Sequence, residues 1–345
     1  MRTFSNSNPR DLKQAVALAS NARRDGKSVS FAGGGSDLLG LVKERIVNPD
    51  VLIHLSGIKG LDQVRVAGRT VHIGGQITLD TLSRHPLISS QYAVLAEAAA
   101  SVATPQIRNA GTLAGNVCQR PWCWYFRNGF PCYKAGGNQC FSVTGENQFH
   151  AIFGGGPSFI VHPSDTAPAL VALDAKFRIV GPSGERTLAA ADFFTLPKQN
   201  AARENALNDD EVLASIEFPE SHTRSTYHKV LDREAWTHAV VSAAIVLDMD
   251  KDVCRSARIV LGGVAPIPWR VPEAERLLVG QRITPDLASK VAETAVSGAN
   301  PLAKNGYKIP LTRETVARAV GQVGNLRGTG SPAARLWPFG FQPLA

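Results

Sequence analysis

The sequence predicts a mixed α+β protein built from two units. Three observations lead there. Helical and strand-like periodicities alternate from Leu12 to Leu188, which is the pattern of a layered unit. After Ser225 three strand-like runs precede three helical ones, which marks a separate α+β unit. The length of 345 residues fits two or three domains at roughly 100–200 residues each. Hydrophobic residues make up 44% and charged residues 19%, a balance that can fill a core and excludes disorder.

Asn8 is a plausible N-cap with Pro9 at the first helical position, and Leu12, Ala15, Val16 and Ala19 form the apolar stripe before Gly26. Ser28–Ala32 reads as a strand entering a glycine turn, with a helix over Leu38–Lys43 and a strand over Val51–Leu55. Val64–Val66 and Thr70–Ile73 flank Gly68 as a hairpin. Thr78–Arg84 and the alanine-rich Tyr92–Val102 read as helices. Thr104–Gly156 shows little periodicity, and so long a loop in a compact domain points to function. Ser158–Val161 reads as a strand and Asp165–Leu173 as a helix. Lys176–Val180 and Glu185–Leu188 flank a Pro-Ser-Gly turn, and polar Lys198–Asp210 reads as a loop. Strands over Ser225–Leu231, Ala239–Asp248 and Val253–Leu261 then precede helices over Pro272–Leu278, Pro285–Ser297 and Thr312–Val323. The divisions are 1–222, with an insert at about 117–150, then 223–325, then a tail 326–345 whose Trp337, Phe339 and Phe341 need something to dock on.

Four of five cysteines, Cys118, Cys123, Cys132 and Cys140, fall in one window spaced C-x4-C-x8-C-x7-C. Four thiolates can hold a tetrahedral zinc or an iron–sulfur cluster. Zinc sites favour close pairs such as C-x2-C, and none occurs here. Two disulfides would need an oxidising compartment, and no export signal is readable in the first residues. Seven of the 24 aromatics, Trp122, Trp124, Tyr125, Phe126, Phe130, Tyr133 and Phe141, share the window with Arg120, Arg127 and Lys134. An apolar, cationic shell favours a four-iron [4Fe-4S] cluster over zinc or free thiols. Cys254 stands alone in a strand-like run and reads as a buried small hydrophobe.

Two glycine clusters precede the cysteines. Phe31-Ala32-Gly33-Gly34-Gly35-Ser36-Asp37-Leu38-Leu39 leaves a strand, and its backbone N–H groups could converge on a phosphate. No Gly-Lys-Ser/Thr follows, and a third spaced glycine is missing, so neither the P-loop nor the Rossmann fingerprint fits. The second cluster, Ile107-Arg108-Asn109-Ala110-Gly111-Thr112-Leu113-Ala114-Gly115-Asn116, again brackets a hydroxyl residue with glycines. Each alone reads equally as a tight turn. Together, before a metal-binding segment, they fit one pyrophosphate held beside a redox centre.

These residues resemble a known family. Ala32-Gly33-Gly34-Gly35-Ser36 with Gly111-Thr112-Leu113-Ala114-Gly115-Asn116 is similar to the two FAD-pyrophosphate loops in the flavoprotein subunits of molybdenum hydroxylases. Pro163-Ser164-Asp165-Thr166-Ala167-Pro168 resembles their S-D-x-x-P stretch, and Tyr227-His228-Lys229-Val230 with Arg233 resembles the lysine strand opening their C-terminal domain. The four-cysteine insert, with Cys123-Trp124-Tyr125-Phe126-Arg127, most resembles that of the periplasmic aldehyde oxidoreductases.

The resemblance implies a two-part FAD-binding domain of the PCMH (vanillyl-alcohol oxidase-like) type and a C-terminal domain of the CO dehydrogenase flavoprotein type. It implies FAD at Phe31–Leu39 (Phe31, Ala32, Gly33, Gly34, Gly35, Ser36, Asp37, Leu38, Leu39) and at Thr112, Leu113, Ala114, Gly115 and Asn116. Asp165 would hydrogen-bond the FAD, Lys229 would lie near the isoalloxazine, and the four cysteines would bind the cluster; no side chain is a catalytic acid or base. The implied assembly is a heterotrimer with a large molybdopterin-bearing partner and a small [2Fe-2S] partner, acting on aldehydes or on hydroxybenzoyl-CoA-like or xanthine-like substrates. The expected compartment is the periplasm, by co-export with a partner, or the cytoplasm.

Asp165 also reads as a plain helix N-cap, Lys229 as a solvated strand residue, and His54 and His72 as ordinary strand residues. Two rival classes are a stand-alone flavin oxidase and a zinc-stabilised nucleic-acid binder suggested by the net charge of +8. Lys and Arg are spread along the chain rather than gathered in a tract, which argues against nucleic acid. The longest apolar run, Ala239–Leu247, is far short of the ~20 residues that a membrane helix needs.

Overall fold

Three sheets carry the chain in the computed structural model, which describes residues 2–221, 223–233 and 237–325. The first is parallel, in the order β1 (Ser5–Ser7), β3 (Val51–His54), β2 (Val29–Ala32). Parallel pairing needs crossovers, and the helices Leu12–Arg24 and Leu38–Lys43 supply them. β1 was not expected, because Ser-Asn-Ser carries no strand propensity; pairing of Ser5 with Val51 defines it. The first helix begins later than Asn8-Pro9 suggests. Asp11 is the cap, its carboxylate accepting the Gln14 N–H at 2.7 Å, directly before the apolar stripe.

The second sheet is antiparallel throughout, in the order β4 (Val64–Ala67), β5 (Thr70–Gly74), β8 (Val212–Pro219), β6 (Lys176–Gly181), β7 (Gly184–Ala189). Its central strand, β8, was missed. Val212, Leu213 and Ala214 are buried in succession, so the alternation that reveals a half-exposed strand is absent at its start. Ser158–Val161 forms no strand. It runs extended, held by Ala151 N–H to the Phe159 carbonyl and His162 N–H to the Ala265 carbonyl.

The third sheet has the order β12 (Trp269–Arg270), β11 (Val253–Gly262), β10 (Val241–Asp250), β9 (Arg224–Val230). The helices Pro272–Leu278 and Lys308–Val323 pack on it, with Pro285–Val296 lying against both. Helices Ala93–Ala100 and Thr166–Ala172 of the preceding unit pack on the same strands. Contacts from both groups explain why Val241–Leu247 is buried at every position. Cys254 is fully buried, as expected of a small hydrophobe. The trailing aromatics Trp337, Phe339 and Phe341 lie outside the described residues. No helix among the described residues is long and apolar enough to cross a membrane.

Phe177 on β6 anchors the second sheet to its helices; it is fully buried and meets Phe193 edge-on, with ring centroids 4.9 Å apart. Phe177→Ala should cost about 3–5 kcal/mol in denaturant unfolding. Exposed Val66→Ala, on the same sheet, should cost less than about 0.5 kcal/mol.

Candidate functional site

The first glycine turn joins β2 to the helix Leu38–Lys43. The second lies between the helices Pro105–Ala110 and Leu113–Val117. They are far apart in sequence and pressed together in space. A Cβ on Gly34 would lie 1.6 Å from the Ala110 carbonyl oxygen, and one on Gly33 would lie 2.6 Å from Thr112 Oγ1. Only glycine fits at Gly34, because the obstacle is backbone. The N–H groups of Gly34, Gly35, Ser36 and Asp37 find no acceptor among the described residues, so the turn presents successive free donors. Thr112 caps the next helix, its Oγ1 accepting the Gly115 N–H at 3.2 Å.

A cavity of about 550 Å³ opens beside these turns. Phe31, Gly33, Gln76, Ala114, Gly115 and Cys118 border it, as do Arg120, Lys134, Arg203 and Glu204. Glu204 accepts from Arg120 and Lys134, each at 3.2 Å, so two cations face one carboxylate. Asp209 and Glu211 also line the cavity, so the three cations Arg120, Lys134 and Arg203 are balanced by three carboxylates. Burial lowers the Lys134 pKa, and Glu204 opposes that shift. Leu113 is wholly buried in the core and its N–H bonds the Ile77 carbonyl at 2.9 Å, so neither its side chain nor its N–H faces the cavity. Gln76 and Glu204 were not expected from the sequence. The signal for Gln76 was the Gly74-Gly75 pair that ends β5.

The insert is tied to the first turn through Asp37. The Arg127 guanidinium donates to Asp37 Oδ1 at 2.7 Å and the Arg120 N–H to Oδ2 at 3.0 Å. Arg127 also lies 4.3 Å from the Trp122 ring, a cation–π contact. The second turn is tied to the Ser164–Thr166 stretch. Asn116 Oδ1 accepts from Ser164 Oγ at 2.6 Å and Thr166 Oγ1 at 2.7 Å.

Asp165 and Lys229 meet each other. Lys229 Nζ lies 2.7 Å from Asp165 Oδ2, both side chains being almost fully buried. Lys229 also donates to the Ser101 and Thr237 carbonyls, at 2.9 and 3.4 Å, so all three of its ammonium donors are engaged. Tyr227 Oη donates to Asp165 Oδ1 at 2.7 Å, and burial followed by this carboxylate raises the Tyr227 pKa well above its ordinary value. Lys229 is therefore no solvated residue, and Asp165 makes no side-chain cap. His72 pairs across the sheet with Glu217 at 3.1 Å, as an ordinary strand residue would.

The four cysteines do not converge. Cys123 and Cys132 belong to an apolar nest with Leu41, Phe126 and Phe141. Burial pushes the Cys123 thiol up to about 11, and the nearby Cys140 and Cys132 add to the shift. Cys118 packs instead against the main core and borders the cavity, and burial alone pushes it up to about 12. His150 Nε2 lies 3.4 Å from Cys123 Sγ, a neighbour not foreseen in the sequence. Among the described residues no three His, Cys, Asp or Glu side chains form a metal-binding group.

Gly34→Ala should abolish flavin retention, read as absorbance per purified chain, because the two turns cannot close. Gly40, in the helix beside it, has open space at its Cβ; Gly40→Ala should stabilise the chain by about 0.5–1 kcal/mol and leave flavin content unchanged. Burial, reinforced by the Lys134 charge, lowers the His162 pKa from 6.5 to about 3. The unfolded chain then binds this proton before the folded one does, so stability is lost as pH falls below about 6.5, by up to roughly 5 kcal/mol. His162→Gln should flatten that acid limb in thermal unfolding; an unchanged limb would rule His162 out as a contributor.

Comparison with known proteins shows the family. Residues 2–221 match the FAD binding domain in molybdopterin dehydrogenase, and residues 226–323 match the CO dehydrogenase flavoprotein C-terminal domain. The chain is 34% identical to the aldehyde oxidoreductase FAD-binding subunit PaoB of Escherichia coli (strain K12), over 85% of this chain and 90% of that one. It is 27% identical to the carbon monoxide dehydrogenase medium chain of Hydrogenophaga pseudoflava, over 90% and 94%. A solved structure of that organism's carbon monoxide dehydrogenase superposes with a TM-score of 0.72 at 26% identity, covering 93% of this chain and 96% of its counterpart. Two matched domains in this order, around a cradle of two glycine turns, place the chain in the family of FAD-binding subunits of the molybdenum hydroxylases.

Proposed function

We propose that the chain is the FAD- and [4Fe-4S]-carrying electron-transfer subunit of a heterotrimeric molybdenum-containing aldehyde oxidoreductase. In this reading a large partner bearing the molybdopterin cofactor oxidises the aldehyde, and a small [2Fe-2S] partner passes the electrons to this chain. An external acceptor takes them from here. The observation that carries the reading is the cradle itself, where Gly34 seats against Ala110 and the N–H groups of Gly34–Asp37 find no acceptor among the described residues. The similarity to an aldehyde oxidoreductase subunit supports the substrate class.

Bound FAD supplies two-electron acceptance and one-electron release. The chain positions it. Gly33–Asp37 and Thr112 offer N–H donors to the diphosphate, the N–H groups of Leu113, Ala114 and Gly115 being already bonded to Ile77, Gly75 and Thr112, while Asn116 and Asp37 hold the two turns to their surroundings. Asp165 reaches the flavin only while also bonded to Lys229 and Tyr227, so we assign Lys229 to holding Asp165. No residue here acts as a general acid or base.

For the cluster, the donor chemistry fits in part: two soft thiols, Cys123 and Cys132, share an apolar nest, with Arg120 over Phe126 and Arg127 over Trp122 beside it. We assign Cys118, Cys123, Cys132 and Cys140 as its ligands. Because the thiols stand apart, cluster binding would order this segment rather than fill a finished cage. We place the domain division at 222/223, with the insert at about 117–150.

Anaerobic purification of the full chain should yield one FAD and about four irons per chain. Cys132→Ser should lose the iron and keep the flavin. Flavin without iron in the wild-type chain would refute the cluster and spare the family; a colourless chain that also fails to take up added FAD would refute the flavin role.

A further inference from the structure

We propose that Gln76 is a flavin-binding residue, and that its side-chain carbonyl accepts a hydrogen bond from a sugar or ribityl hydroxyl of the bound dinucleotide. This inference rests on the FAD reading of the cavity and adds a contact that neither glycine turn supplies.

Gln76 is delivered to the cavity by an unusual stretch of backbone. Its two predecessors, Gly74 at the end of β5 and Gly75 just beyond it, pass between the backbone of Leu61 and that of β8. A Cβ on Gly74 would lie 2.2 Å from the Leu61 carbonyl oxygen, and one on Gly75 would lie 2.6 Å from that of Leu213. Both contacts are with backbone, so no larger residue fits at either position. The Gln76 N–H then bonds the Leu61 carbonyl at 2.7 Å, and the Gly75 N–H bonds that of Ala214 at 2.8 Å. The main chain at Gln76 is therefore fixed and its side chain is aimed.

That side chain ends at the cradle. A Cβ on Gly33 would meet Gln76 Oε1 at 3.1 Å and Thr112 Oγ1 at 2.6 Å, so both polar atoms converge on the first turn. Gln76 is 9% exposed and lines the cavity, yet Oε1 has no hydrogen-bond partner. A buried carbonyl oxygen left unpaired in a folded core is a cost, and such groups are uncommon unless something else satisfies them. The missing partner must be a donor. Phosphate oxygens are acceptors, so they cannot fill this role; a hydroxyl beside the diphosphate can. FAD carries hydroxyls on either side of its diphosphate, on the ribityl chain and on the adenosine ribose.

The test uses the full chain, stripped of flavin and titrated with FAD while flavin fluorescence is followed. Gln76→Leu removes the acceptor at nearly constant volume. It should weaken FAD binding roughly tenfold, the loss of one buried hydrogen bond. It should also raise the melting temperature of the flavin-free chain, because an unpaired polar atom has been removed. Opposite signs in the two measurements are the signature; a structural role alone would lower both. Parallel titrations with ADP and with FMN show which half bears the hydroxyl, since the loss in Gln76→Leu follows that half. Wild-type affinity in Gln76→Leu, or a melting temperature that falls together with the affinity, would overturn the assignment. A wild-type chain that binds no FAD at all would instead overturn the FAD reading beneath it.

Discussion

The contact between Gly34 and the Ala110 carbonyl is the constraint on which the rest depends. It brings a turn from the parallel sheet against one that opens onto the antiparallel sheet. Without it the cavity would have a single wall. Backbone-to-backbone seating leaves no side chain between the turns and turns N–H groups outward. Anion binding by backbone dipoles needs this kind of arrangement: donors fixed in advance, with little ordering left for the ligand to impose.

Around that contact the chain repeats one device, a polar tie from each turn to a different part of the molecule. Asp37 ties the first turn to the insert through Arg127 and Arg120. Asn116 ties the second to the Ser164–Thr166 stretch. Asp165 then continues to Lys229 and Tyr227 on β9 of the third sheet. An ion pair this deeply buried is not a source of stability in itself, since desolvation offsets much of its attraction. Here it fixes geometry, joining the flavin unit to the C-terminal sheet. The insert is braced likewise at its far end. Asn305 and Lys308 donate to the His150 and Phe149 carbonyls at 3.0 and 2.9 Å, so the C-terminal helix steadies the segment that follows the last cysteine.

Elements with strong local signals were legible in the sequence. Leu38–Lys43 and Pro272–Leu278 occur over those same residues, and the hairpin about Gly68 forms with Gly68 at φ +60°. Elements defined by their neighbours were not. β1 exists because β3 lies beside it, and β8 hides because its opening residues are buried in succession. The site shows the same division. Glycines that must pack against backbone left a readable pattern. Partner choice did not, so the bond of Lys229 to Asp165, the position of His150 beside Cys123, and Gln76 all depend on placements that sequence spacing does not encode.

Amide hydrogen exchange of the full chain, with and without FAD, tests the central claim most directly. The account predicts that the N–H groups of Gly34–Asp37 and of Thr112, which have no acceptor among the described residues, slow together when FAD saturates the chain, because one diphosphate takes donors from both turns. Saturation that protects only one turn, or neither, would contradict it.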